Sequence, residues 1–208
     1  MELQYFGANC VRLSTKKAAV VIDDNLAAHG AKAITKPGEI SLFTTPHDAP
    51  AVQSKIVIDK PGEYEVSDIS IEGIAARAHM DEAGKKAATI YKLVVDDVRV
   101  AVVGHVYPDL SSSQLEDLST IDVLVIPVGG NGYTLDPVGA LKLIKEIEPK
   151  IVVPTHYDEK GLTFEVPQQT LEDAIKGLSM EAAEPVAKLK VKAGDMGDTT
   201  QLVILEKQ

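Results

Sequence analysis

The sequence predicts an α/β fold in one domain, residues 1–208, with two packed β-sheets and helices on the outside. Three observations carry this. The first half is a run of short, β-rich segments broken by turn residues. The second half alternates continuous apolar strands with helical patterns. The apolar share, 45% of the chain, includes no Trp, three Phe and six Tyr, so the core is mainly Val, Ile, Leu and Ala. That mixture suits packed strands and helices better than an aromatic-lined ligand cage.

In the first half "LQYF", "CVRLST" and "AAVVID" read as strands, followed by "ISLFTT", "KIVID" and "YEV". Residues 69–74 alternate apolar and polar side chains, as a half-buried strand does. "ATIYKLVV" and "VRVAVVG" are neighbouring strands with Asp96 and Asp97 as their hairpin turn. In the second half "SSSQLEDL" starts a helix that Ser111 or Ser112 can cap. "IDVLVIPVGG" is an apolar run expected to be buried on both faces. "LDPVGALKLIKEIEP" is a helix: Asp136 can cap it, Pro137 fits its first turn, and Ala140, Leu141, Ile144 and Ile147 recur on one face. "KIVVPTHY" is a second buried strand ending in a polar loop. "VPQQTLEDAIKGL" is a further helix with Gly177 near its end, and "TTQLVILEK" a closing strand after the turn "KAGDMGDTT". There is no internal repeat and no low-complexity linker.

Charge and cysteine content narrow the function. The net charge is −10 and no basic run exceeds "TKKA", which argues against a nucleic-acid partner. A single cysteine, Cys10, allows neither an intramolecular disulfide nor a zinc site of several thiolates. In strand-like sequence it reads as a buried structural thiol. The N-terminal segment lacks a signal-peptide pattern, and no apolar run approaches the roughly 20 residues that span a membrane. The expectation is a soluble cytoplasmic protein with no membrane partner.

Functional loops in such folds follow the carboxyl ends of strands. Asp23-Asp24, His47, His79, His105 and His156 each stand just past an apolar strand. The fifth histidine, His29 in "AAHGAK", reads as a solvated helix or loop residue. Imidazole is the commonest metal ligand, and three of them at converging strand ends can hold zinc with a position open for water. The loop "PVGGNG" after its buried strand can bring backbone amides to an anion through Gly129 and Gly130, or can simply be a tight loop. Asp122 opens the same strand as a structural residue. Asp158 and Tyr157 flank His156 and either orient a ligand or face water. No G-x-S-x-G occurs, so a serine elbow is not expected.

Long collinear stretches resemble the metallo-β-lactamase superfamily, in the branch of small hydrolases similar to L-ascorbate-6-phosphate lactonase. These are "LQYFGANCVRL", "VVIDDN", "KPGEYEVSDISIEGI", "TIDVLVIPVGGNGYTLDPVGA" and "EPKIVVPTHYDEKGL". The resemblance implies a four-layer αββα sandwich, two mixed sheets flanked by helices, with its site at one edge of the sheets. It also implies a metal motif, His-x-His-x-Asp-His, which aligns here with Thr45, Pro46, His47, Asp48, Ala49 and Pro50. The family's "HLGD" becomes "VVGH", so Val102 stands for its His and His105 for its Asp. The last ligand is kept as His156 in "PTHY". Ala8 stands where the family usually has His. Asp48 falls on a spacer position and is not counted as a ligand.

Two metal ions about 3.5–4 Å apart repel unless carboxylates bridge and neutralise them. Here the bridging position holds His105 and the other site carboxylate is Ala49, so a conventional two-metal centre is not expected. Two functional classes follow. One is a non-catalytic relative that keeps the pocket for a small-molecule ligand or pairs with an active paralogue. The other is a hydrolase in which one divalent ion, zinc foremost, is held by His47, His105 and His156 and activates water against an ester, lactone or phosphoester. The cofactor is accordingly one divalent metal or none. Asp23, His79, Gly129, Gly130 and Tyr157 are the expected pocket-lining residues, and a homo-oligomer is compatible with either class.

Overall fold

Two mixed β-sheets share one apolar core in the computed structural model, which describes residues 1–47, 50 and 52–208. Asp48 and Ala49 of the aligned motif lie outside the described residues. The first sheet sets β1 (Glu2–Gly7), β2 (Cys10–Ser14), β3 (Ala19–Ile22), β4 (Ile40–Leu42) and β5 (Ile56–Ile58) side by side in chain order. The second does the same with β6 (Gly62–Val66), β7 (Ile69–Ala76), β8 (Ala88–Val95), β9 (Val98–Val102), β10 (Val123–Pro127) and β11 (Ile151–Thr155). Two short strands complete the edges: β12 (Leu189–Lys190) beside β1, and β13 (Gln201–Leu202) beside β11.

Pairing follows the connections. β1 to β3 and β6 to β9 are antiparallel, joined by short turns except for the longer connection 77–87 between β7 and β8, which carries His79. In the hairpin between β8 and β9, Asp96 and Asp97 both take left-handed φ, 50° and 61°, which matches the twist of the flanking strands. β9, β10, β11 and β13 run parallel. β10 and β11 are buried at every position, as strands covered on both faces must be.

Three helices flank the sheets. α1 (Ser112–Leu118) starts with a capping box, Ser111 and Gln114 satisfying each other's backbone N–H. α2 (Pro137–Ile147) is capped by Asp136, whose Oδ1 accepts from the Gly139 N–H at 2.7 Å. Its buried stripe is Ala140, Leu143, Ile144 and Ile147. Leu141, expected on that stripe, lies to one side of it and is half-buried. α3 (Leu171–Leu178) is capped by Thr170 and starts later than "VPQQTLEDAIKGL" suggests. The backbone before it is committed elsewhere, since Gln169 N donates to Gly129 O at 2.8 Å. The closing strand is likewise shorter than predicted. After β13 the chain leaves the second sheet, bridges Val186 at Leu205, and ends beside β1 through Tyr5 and Lys207.

Asp122 is structural, as read from the sequence. It is 2% exposed, and its carboxylate accepts from Arg99 N at 2.9 Å, Nε at 2.9 Å and Nη2 at 3.0 Å. These bonds pin the starts of β9 and β10 to each other. They hold the carboxyl below its ordinary range although burial alone would raise it. Truncation in Asp122→Ala leaves the Arg99 donors without their acceptor. The expected loss is about 2–3 kcal/mol of unfolding free energy, read from the urea midpoint at constant m. A loss within experimental error contradicts the assignment.

Candidate functional site

The site edge begins with the strands of the first sheet. Asp23 follows β3 in a left-handed conformation, φ 54°, which Asp tolerates better than most residues. That turn buries its carboxylate under the segment after β4. Oδ1 accepts from Thr44 N at 2.7 Å and Oδ2 from Thr44 Oγ1 at 2.6 Å. Thr44 in turn reaches the second sheet: its carbonyl accepts from Thr89 N at 2.8 Å. Gly104 packs so closely on Thr44 that a Cβ there would lie 2.2 Å from Oγ1, and its φ is 57°, so only glycine fits. Burial pushes the Asp23 pKa up to about 6, against the lowering effect of the Thr44 bonds and of His47.

The second sheet delivers the histidines. His79 follows β7 and His105 follows β9, and His79 N donates to His105 O at 2.7 Å. His156 follows β11 with φ 52°, and its N–H donates to Ala8 O at 2.8 Å. The rings of His105 and His156 meet edge to face, centroids 4.5 Å apart. His156 Nδ1 faces Gln168 Oε1 at 3.3 Å, and Gln168 Nε2 donates to Val166 O, which orients the amide. An amide oxygen only accepts, so the proton of the neutral ring sits on Nδ1 and Nε2 carries the lone pair.

Burial dominates the electrostatics. It lowers the His156 pKa to about 4, helped by His29 and opposed by the Gln168 bond. It holds His105 well below the ordinary imidazole value, reinforced by His156, His29 and His79. His79 is lowered too, again chiefly by burial. The Nδ1 atoms of His79 and His105 are buried without a hydrogen-bond partner.

Of the residues singled out in the sequence, His79, His105 and His156 come together here. His47 takes other company: its ring stacks on Phe43 with centroids 3.5 Å apart, and its Nε2 lies 3.6 Å from Asp59 Oδ2. Gly129 is pressed against the cluster, since a Cβ there would lie 2.1 Å from His156 O and 2.2 Å from Gln168 Oε1. Gly130 N donates to Leu135 O, so this amide is spent inside the turn as a tight loop requires. Tyr157 is buried against Tyr5, ring centroids 5.7 Å apart.

His29 corrects the sequence reading. It ends a short 3-10 helix, Leu26–His29, half-buried rather than solvated, and its ring lies 6.0 Å from that of His156 and 5.0 Å from that of Phe164. Tyr133, Phe164 and Gln168 complete the surround and were not legible either. Their contacts join segments far apart in the chain, and no local pattern marks them. The one available signal was the pair of glutamines just before the Thr170 cap.

The donor set does not fit a two-metal centre. The buried carboxylate of Asp23 has both oxygens held by Thr44, and the imidazole of His105 stands where the resemblance implies a bridging carboxylate. Among the described residues, no group of three or more His, Cys, Asp or Glu side chains is placed to hold a metal ion. No helix is long and apolar enough to cross a membrane, among those described.

Comparison with known proteins places this geometry. Residues 2–156 match the model of the Beta-lactamase superfamily domain. A UPF0173 metal-dependent hydrolase of Archaeoglobus fulgidus is 32% identical over 104 residues, 48% of this chain and 42% of that protein. One from Thermoplasma acidophilum is 27% identical over 120 residues, 55% of this chain and 51% of that protein. The chain thus spans about half, or less, of the length of the curated relatives it matches. Among solved structures, a metallo-β-lactamase superfamily protein of Thermotoga maritima superposes with a TM-score of 0.74 at 24% identity, covering 98% of this chain and 97% of that one. A metallo hydrolase of Ignicoccus hospitalis gives 0.63 at 18% identity, covering 92% and 99%.

The depressed histidines have a pH signature. A group that is neutral when folded and protonated when unfolded supports the fold above its unfolded pKa, near 6.5, and loses that support as pH falls toward the folded value. For His156 this window runs from about 6.5 down to about 4. In it the stability gap between wild type and His156→Gln should shrink by about 1.4 kcal/mol per pH unit on acidification. Urea titrations at pH 6.5, 5.5 and 4.5 measure it, and a gap independent of pH contradicts a neutral buried His156.

Proposed function

The chain belongs to the β-lactamase superfamily, and from that premise we propose that it is a metallo-β-lactamase-fold protein that does not carry out two-metal hydrolysis. Its histidine edge serves instead as a neutral pocket for a small molecule. The observation that carries this reading is His105, an imidazole kept uncharged by burial where the resemblance expects a bridging carboxylate. Without carboxylates, two divalent ions at this edge would face each other unscreened. A cavity of about 170 Å³ opens beside the cluster, with His29, Tyr133, Phe164, Asn25 and Glu165 in its wall. His29 and Tyr133 also touch His156, so an occupant would lie next to the imidazoles. Its aromatic rings, with Asn25, His29 and Glu165 as polar partners, suit a small organic ligand that can also hydrogen-bond.

A second reading has its own support. The buried Nδ1 atoms of His79 and His105 have no hydrogen-bond partner, and a neutral imidazole lone pair is what a metal accepts. On this reading one divalent ion, zinc foremost, would be held by His105, His156 and a His47 turned away from Phe43, and would supply an activated water for ester, lactone or phosphoester cleavage.

Elemental analysis separates the two, on protein purified without chelators or a histidine-bearing tag. The first reading predicts metal far below one equivalent and no rise in melting temperature on adding zinc. Near-stoichiometric zinc, manganese or iron that is lost in His156→Ala overturns it in favour of the single-ion hydrolase.

A further inference from the structure

The start of β1 lies roughly 17 Å from its end at Gly7, at about 3.4 Å per residue, so it is remote from the histidine edge. There Glu2 pairs with Ser14 of β2 on one side and with Lys190 of β12 on the other. The turn after β2 and residues 191–193 rise beside this row and enclose a cavity of about 550 Å³. Lys16, Lys190 and Lys192 line it, together with Met1 and Val191. A neighbouring cavity of about 300 Å³ shares Thr15, Lys16 and Asp96 with it and adds Lys17.

The charges of this cleft do not cancel. Glu2 is paired with Lys188 at 3.1 Å, Asp96 with the Met1 amino group at 3.3 Å, and Lys17 with Asp68. Lys16, Lys190 and Lys192 have no ion pair among the described residues. Three like charges round one concavity repel each other unless an anion lies between them. They gather in a protein whose net charge is −10, against the sign of its overall charge. Lysines are flexible point charges that bind phosphate oxygens well. The buried Val191 and half-buried Met1 offer an apolar floor beside them.

We propose that this cleft is a second ligand site, for a small, multiply charged oxyanion of the organic-phosphate class. The site is independent of what the histidine edge does.

The test is calorimetric titration of the full chain with pyrophosphate at low ionic strength. Wild type should bind saturably at one site, more weakly as salt is added. The double variant Lys190→Glu/Lys192→Glu should weaken binding by about tenfold or more, as expected for losing charge-assisted contacts. Lys16→Glu should also weaken it, through a different turn, and serves alone if the double variant misfolds. A control of equal charge, Lys36→Glu/Lys145→Glu, should bind like wild type. An equal loss in the control shows a general charge effect and overturns the proposal, as does the absence of saturable binding to wild type.

Discussion

The Asp23 carboxylate is the interaction on which the site edge depends. It is buried, and both its oxygens are bonded to Thr44. Thr44 then joins the sheets through its bond to Thr89 and its contact with Gly104. One side chain thereby fixes the end of β4 against the start of β8 and the end of β9. It also explains why His105 starts where it does, since Gly104 cannot move away without opening a gap at Thr44. Both oxygens of this carboxylate are thus committed to holding Thr44 in place. The buried acid holds the sheets together.

A second consequence follows from burial. Imidazoles whose ring centres are 4.5 Å apart cannot both be charged in a dry site at moderate cost, so the cluster settles on neutral rings. Each neutral ring needs one acceptor for its N–H and presents one lone pair. Gln168 supplies the acceptor for His156, and Val166 holds the glutamine in place. The stretch after β11 is therefore a loop, and α3 begins only at Leu171. Local helix propensity in "VPQQ" gives way to a tertiary bond.

Most of the architecture was legible in the sequence, because strand periodicity, the Asp96-Asp97 turn, and the caps at Ser111 and Asp136 are local signals. The resemblance also implied an imidazole in place of a carboxylate at position 105. What it did not show were partners set by tertiary contact: His29 beside His156, Phe164 and Tyr133 around them, and the retreat of Tyr157 against Tyr5. "AAHG" carries no apolar periodicity, so a half-buried histidine there looks like any surface residue. The lysine cleft was hidden for the same reason. Lys16 is far in the chain from Lys190 and Lys192, and they meet because β12 pairs with β1, which pairs with β2.

On the proposed reading the histidine edge is a cluster of buried, neutral imidazoles and not a metal centre. The direct measurement is the side-chain ¹⁵N spectrum of the imidazoles at pH 7, with and without one equivalent of zinc. Neutral rings are expected for His105 and His156, with the His156 proton on Nδ1, and no change on adding zinc. Displacement of the His105 and His156 signals by stoichiometric zinc would contradict it.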